Sequence, residues 1–278
     1  MKESKRFFRK AAFFLAALGF FSFLENNRLG VSRYICEDAR IPESFSGFRL
    51  LQISDLHNKG FGIKQGALLR RVRAENPDIV VITGDLFDCR RKGRDHALRL
   101  VSRLSADYPV YFVPGNHESR REDYPQLQDL LQLYGATLLE DRLHPIFKNG
   151  ETLSLMGLRD PLFGGRETFL KTLRRLSEES KESSPFGILL SHRPEWVSHY
   201  ADCGIPLVLS GHAHGGQIRL PRLGALFAPR QGFFPKYTAG MDKIGDTTLI
   251  VSRGLGNSVF PQRIGNPPEL VSLELKRR

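Results

Sequence analysis

The chain reads as an α/β protein built on a largely parallel sheet with helical crossovers, on the strength of three observations. Short apolar runs of strand length alternate with helix-length patterns in the order β-α-β-α-β. Five of these runs end in Asp, Asn or His, which sets polar chemistry at one edge of a sheet. With 278 residues the chain can bury one substantial core, so a single domain is expected rather than several.

The elements follow in order. Lys2, Lys5, Arg6, Arg9 and Lys10 precede the apolar run Ala11–Leu24. A basic stretch followed by an uncharged one has the anatomy of an export signal or signal anchor. A full span takes about 20 apolar residues, so crossing requires Phe7 and Phe8 with Arg9 and Lys10 snorkelling. No small-x-small cleavage site follows Leu24, and residues 1–24 are expected to be an uncleaved membrane anchor. The positive flank then places the remainder of the chain outside the cytoplasm. Ser4, Arg6, Phe8 and Lys10 match the twin-arginine export pattern, whereas Lys5 and Arg9 depart from it. An amphipathic or core helix is the alternative, and the lack of a polar stripe counts against it.

Residues 25–47 are expected to connect this anchor to a domain spanning 48–278. Phe48–Ser54 and Asp78–Thr83 read as strands, with an amphipathic helix at Gln65–Ala74 between them. A helix around Arg94–Ala106, a strand at Val110–Val113 and a helix at Tyr124–Tyr134 continue the alternation. Leu153–Leu158, Phe186–Leu190 and Leu207–Leu209 are further strands, with helices at Glu167–Ser180 and Pro194–Tyr200. After Gly216, Gly, Pro and aromatic residues become frequent, and Thr247–Ser252 and Glu269–Leu275 close the series.

Composition narrows the partners. Hydrophobic residues at 41% and charged ones at 26% exclude a disordered chain and a multi-span membrane protein. Lys and Arg exceed Asp and Glu by 41 to 30, a net charge of +11 that favours anionic partners: lipid, nucleic acid or a phosphorylated substrate. Cys36, Cys89 and Cys203 are too scattered for a disulfide framework or a zinc ribbon.

The polar residues at the strand ends carry the chemistry. Asp55 and His57 follow the first strand, and Gly84-Asp85-Leu86-Phe87-Asp88 the second. Gly115-Asn116-His117-Glu118 follows the third, His192 the GILLS run, and Gly211-His212-Ala213-His214 the LVLS run. Any one of these histidines alone is more often a packed or surface residue, and Asp85 alone reads as a helix N-cap. Five segments ending this way together require a common purpose. Carboxylate, imidazole and amide oxygen suit Mn, Fe or Zn. One ion cannot use Asp55, His57, Asp85, Asn116, His192, His212 and His214, but two ions sharing a carboxylate can. Such a pair, about 3.5–4 Å apart, polarises a phosphoryl group for in-line attack.

The series D-x-H, G-D-x-x-D, G-N-H-E, an isolated H and G-H-x-H resembles the calcineurin-like metallophosphoesterase superfamily. HNKGFG, GHAHGGQIRLP, APRQGFFPKYTAG, VSRGLGNS and NPPEL resemble its bacterial membrane-associated members and extend the likeness over nearly the whole domain. The resemblance implies a four-layer α/β/β/α sandwich and two divalent metals, Mn before Fe or Zn. One metal would be held by Asp55, His57, Asp85 and His214, the other by Asp85, Asn116, His192 and His212. It also implies that His117 is the catalytic histidine, oriented by Asp88, and that the nucleophile is a hydroxide on the metals. Protein phosphatases of this superfamily carry Arg where this chain has Cys89, which counts against a phosphoprotein substrate.

The substrate is less legible. Arg219, Arg222, Arg230 and Lys236 mix with Leu226, Phe227, Phe233 and Phe234 just after His214, as a loop for an anionic headgroup with an apolar attachment would. Packing against the second sheet explains the same aromatics. Arg90, Arg91, Lys92 and Arg94 form another basic cluster, which a solvated face also explains. The expectation is hydrolysis of a phosphodiester or pyrophosphate on a lipid-linked or nucleotide-linked substrate. The resemblance makes the pyrophosphate of UDP-2,3-diacylglucosamine a candidate. A nuclease and a catalytically silent metal-binding module are the alternatives. The chain shows no nucleic-acid-binding module, so no specific nucleic acid is expected, and the complete ligand set opposes the silent module.

Overall fold

The computed structural model of the protein describes residues 2–91, 93–257 and 260–278, leaving Met1, Lys92, Ser258 and Val259 outside the described residues. Helix α1 (Lys2–Asn27) leads into β1 (Gly30–Glu37) and β2 (Arg49–Ile53). Then come α2 (Gly66–Glu75), β3 (Ile79–Thr83), α3 (Asp95–Ser105), β4 (Val110–Val113), α4 (Tyr124–Leu133) and β5 (Ala136–Leu138). The second half begins with β6 (Arg142–Lys148), β7 (Glu151–Leu158), α5 (Gly165–Ser183), β8 (Gly187–Ser191), α6 (Val197–Asp202) and β9 (Leu207–Ser210). Two short hairpins follow, β10 (Arg219–Leu220) with β11 (Gly224–Ala225) and β12 (Phe227–Ala228) with β13 (Gly232–Phe233). Strands β14 (Gly240–Ile244), β15 (Thr247–Val251) and β16 (Glu269–Lys276) complete the chain.

These strands make two six-stranded sheets, ordered β1-β16-β2-β3-β4-β5 and β14-β15-β9-β8-β7-β6. Strands β2 to β5 run parallel, as do β7, β8, β9 and β15. Side chains alternate across each strand with period two and sort into three cores. Val80 and Ile82 of β3 face a core with α2, α3 and α4, while Ile79 and Val81 face the core between the sheets. In β9, Leu207 and Leu209 join that central core, and Val208 faces α5 and α6. Three cores between four layers give the α/β/β/α sandwich. Helix α3 shows how the outer layers form, because its buried Ala97, Leu98, Leu100, Val101 and Leu104 line one face at helical spacing.

The residues assigned to a connector, 25–47, do more than connect. Strand β1 lies parallel to β16 over eight residue pairs and forms the edge of the first sheet. It escapes sequence reading because only Cys36 in it is fully buried, so no apolar run marks it. Edge strand β6 is hidden for the same reason, being half-exposed and interrupted by Pro145.

Helix α1 also differs from a free-standing anchor. Among the described residues no helix is long and apolar enough to cross a membrane. Phe13, Phe14, Leu15, Leu18, Phe20, Phe21, Phe23 and Leu24 are exposed, yet the last turns are bonded to the domain. Asn26 Oδ1 accepts from Asn257 Nδ2 (2.9 Å) and from the Arg263 amide (3.1 Å). Its Nδ2 donates to Gln262 Oε1 (3.0 Å), and Glu25 accepts from the Gly265 amide (2.6 Å).

Candidate metal centre

The carboxyl ends of β2, β3 and β4 in one sheet meet those of β8 and β9 in the other. This juxtaposition gathers Asp55, His57, Asp85, Asp88, Asn116, His117, His192, His212 and His214. All nine are buried. Beneath them Gln52 clamps three strands from both sheets, its Nε2 donating to Thr83 Oγ1 (2.8 Å) and to the Ser210 carbonyl (2.9 Å). The chain turns sharply at each strand end. Asp55, His57, Asp85, His212 and His214 all hold positive φ between 48° and 66°. Such backbone costs about 1–3 kcal/mol per residue and collects at functional sites. Gly84 allows one of these turns, since a Cβ there would lie 2.6 Å from His192 Nδ1. A Cβ on Gly115 would overlap Asp85 Oδ1.

Asp85 is the hub. Its Oδ1 accepts from the His117 amide at 2.8 Å, which fixes the carboxylate and leaves Oδ2 to the cavity. Oδ2 lies 3.2 Å from His192 Nε2, 3.8 Å from His57 Nε2 and 3.9 Å from His117 Nε2. Ligand atoms of Asp55, His57, Asp85 and His214 converge within 4.8 Å of one another, and so do those of Asp85, His192 and His212. Asp85 belongs to both groups, the arrangement two ions sharing a carboxylate require.

Several donors have no protein partner. The Nε2 atoms of His57 and His214 face each other at 3.2 Å, each ring stacked on the other with centroids 5.0 Å apart. His192 Nδ1 donates to the Thr83 carbonyl (2.8 Å) and its Nε2 faces Asp85 Oδ2 at 3.2 Å, so that the ring in its neutral form carries its lone pair on Nε2. Asn116 Oδ1 is buried without a partner. Lone pairs converging in a buried space are costly unless a cation takes them, and the chemistry of the set fits divalent metals. His212 fits less simply. Arg193 Nη1 donates to its Nε2 at 2.8 Å, so that nitrogen is already engaged by the protein.

Electrostatics separates the groups. Burial pushes His57 and His214 down to about 3, which keeps both rings neutral, the form that ligates a metal. Burial also disfavours the His192 cation, but the Asp85 charge and hydrogen bond outweigh it and raise the ring to about 10. Burial raises Asp85, yet the charges of His192, His117 and His57 hold it well below the usual carboxylate range. His117 Nδ1 sits between two neighbours, the Cys89 amide that donates to it at 3.1 Å and Asp88 Oδ1 at 3.5 Å. The amide suits the neutral ring and the carboxylate suits the cation. Burial lowers His117, but Asp88 and Asp85 prevail and raise it. Its Nε2 faces Asp85 Oδ2 at 3.9 Å.

Four residues of this neighbourhood carry no role in the sequence reading. Glu118 accepts from the amides of Asp85 (2.9 Å), Phe87 (2.9 Å) and Gly115 (2.8 Å), locking the second and third motifs together. The G-N-H-E motif was its signal. Arg193 and Asp160 form a buried fork that contacts His212, and nothing in the sequence pairs them. Arg263, fully buried, donates to the carbonyls of Arg253 (3.0 Å), Gly256 and Asn266 (3.3 Å). It thereby shapes the loop whose Gly256 amide donates to the Asp55 carbonyl (2.6 Å).

Comparison with known proteins gives a consistent picture. The calcineurin-like phosphoesterase family profile matches residues 48–216. An uncharacterized metallophosphoesterase of Bacillus subtilis, YkuE, is 29% identical over 99% of this chain and 98% of its own length. The phosphodiesterase YaeI of Escherichia coli is 26% identical over 85% of both chains. A zebrafish transmembrane protein with a metallophosphoesterase domain is 30% identical over 86% of this chain and 55% of its own.

Proposed function

The chain belongs to the calcineurin-like phosphoesterase family, and from that premise we propose that it hydrolyses a phosphodiester or pyrophosphate bond in a lipid-linked or nucleotide-linked substrate. The observation that carries this reading is the pair of buried ligand groups joined through Asp85 Oδ2. Asp55, His57, Asp85 and His214 would hold one divalent metal, and Asp85, Asn116, His192 and His212 the other, with Mn favoured by the mixed oxygen and nitrogen donors. Bound there, the metals would supply an activated water and neutralise the phosphoryl oxygens.

The chain's own residues do the rest. A water oxygen forms the new bond to phosphorus as the bond to the leaving oxygen breaks. His117 Nε2 delivers the proton that this oxygen takes up. Arg90, Arg120 and Arg230 line the mouth beside His117 and Asn116, where they can grip the non-bridging oxygens. Cys89 stands where a phosphoprotein phosphatase has arginine, and the YaeI likeness points the same way, to diesters. Exposed Phe227, Phe233 and Phe234 beside Arg230 favour a substrate with an apolar attachment, held at a membrane surface with the aromatic face of α1.

The test is metal content of the purified full chain together with turnover of bis(4-nitrophenyl) phosphate and 4-nitrophenyl phosphate with Mn supplied. Close to two metals per chain and faster diester hydrolysis are expected. A folded protein that takes up no metal and cleaves neither ester would remove the reading, and a strong monoester preference would remove its diester part.

A further inference from the structure

Beside the metal centre lies a larger cavity of about 540 Å³, lined by four arginines (Arg91, Arg94, Arg120 and Arg121), two carboxylates (Glu122 and Asp123) and Cys89. Its volume is that of a small-ligand pocket. Two features tie it to the chemistry. Arg120 lines both this cavity and the roughly 180 Å³ cleft over the metal ligands. Cys89, in its wall, is the residue whose amide hydrogen-bonds the proton donor His117. The cavity therefore opens on the side of His117, where the leaving oxygen departs.

The charges of this cavity are unequal in availability. Arg121 is spent on structure, forking onto Asp123 (2.8 and 2.7 Å) and donating to the carbonyls of Asp88 (2.7 Å) and Arg91 (3.2 Å). That fork braces the loop carrying Arg90 and Arg91 against the start of α4. Arg91 reaches Asp88 only at 3.7 Å and is 61% exposed. Among the described residues no carboxylate pairs with Arg94 or Arg120. Two guanidinium groups without a paired carboxylate, Arg94 and Arg120, together with the weakly held Arg91, face one space and attract a group with more than one negative charge.

We propose that this cavity is a second anion subsite, which receives a phosphate carried by the leaving group, with Arg94 and Arg91 setting that specificity. The proposal rests on the phosphoesterase reading and adds the class of substrate: one whose departing half is itself a phosphate ester. A nucleoside monophosphate leaving from a pyrophosphate and a glycerol phosphate leaving from a phosphodiester share this chemistry.

The test compares three substrates on the full chain with Mn: bis(4-nitrophenyl) phosphate, diadenosine pyrophosphate and a glycerol phosphate dimer. The last two release AMP and glycerol phosphate, which separates the two sources. In Arg94→Ala, kcat/KM for whichever charged-leaving-group substrate is used should fall about tenfold further than for bis(4-nitrophenyl) phosphate, and Arg94→Lys should recover part of it. Equal loss on all substrates, or loss on none, overturns the subsite. Calorimetric binding of AMP and of glycerol phosphate to wild type and Arg94→Glu reads the subsite without turnover. Weaker binding in the variant is expected, and unchanged binding of both overturns it. A wild type that hydrolyses none of the three while Arg94→Glu weakens binding would reject the enzyme reading and keep the subsite.

Discussion

The two halves of the metal centre share Asp85 but are built differently. Around Asp55, His57 and His214 no Lys or Arg among the described residues hydrogen-bonds a ligand atom, and the Nε2 atoms of the two imidazoles lie 3.2 Å apart. Around His192 and His212 a buried guanidinium intrudes, Arg193 donating to His212 Nε2 and anchored by Asp160. The first half presents its ligands without such a contact, and the second has a charge of the same sign beside it. The difference teaches that a shared ligand set need not bind its two metals alike: the Asp55 half should load first and hold more tightly.

The severest test acts on both halves together. In Asp85→Asn the amide oxygen can still accept from the His117 amide, but an NH2 group then occupies the Oδ2 position and cannot ligate. Both metals should be lost to dialysis, and turnover of a phosphodiester should fall about 10⁴-fold. Metal analysis beside kinetics checks this. One metal retained with activity would show that the halves are independent, ending the comparison at its root.

Next in size is the ion pair behind His212. Asp160→Ala removes the nearer of the two carboxylates of Arg193 and leaves Glu195 Oε1 at 3.4 Å, so stability should drop by about 1–3 kcal/mol in urea unfolding. The double variant Arg193→Met with Asp160→Asn removes the charge along with its nearer counter-charge and should be milder. The double variant should bind its second metal about tenfold more tightly, the scale of effect expected of groups that orient metal ligands. Calorimetric titration of Mn would resolve the two steps. Identical affinities before and after substitution would show that Arg193 does not distinguish the halves.

Much of this was legible from the chain, and the reason is local. Each ligand motif directly follows an apolar run, so strand and motif are read in one window, as DIVVIT with Gly84-Asp85 shows. The central strands fell where periodicity placed them because both their faces are buried. What stayed hidden depends on partners distant in sequence. Strand β1 is visible only through its pairing with β16, some 240 residues away. Arg193 reads as an ordinary residue after His192 until Asp160 and His212 are placed beside it. The contact that holds His117 comes from the Cys89 backbone, and an amide leaves no mark in a sequence.

The smallest expected effect separates that amide from Asp88, which the sequence reading made the orienting group. Asp88 takes the Arg90 amide at 2.7 Å as its nearest partner and stands 3.5 Å from His117, so its influence on the ring is one of charge. Asp88→Asn keeps the shape and removes the charge. Because Asp88 contributes to raising His117, the substitution should lower the pH at which the ring loses its second proton. The protonated, proton-donating form exists below that pH and disappears above it. The alkaline limb of the kcat profile should therefore move to lower pH, with turnover on the acid side changed only a few-fold. An unmoved limb with a large drop in kcat at every pH would mean that Asp88 acts by holding the ring, and that the Cys89 amide is not sufficient to do so.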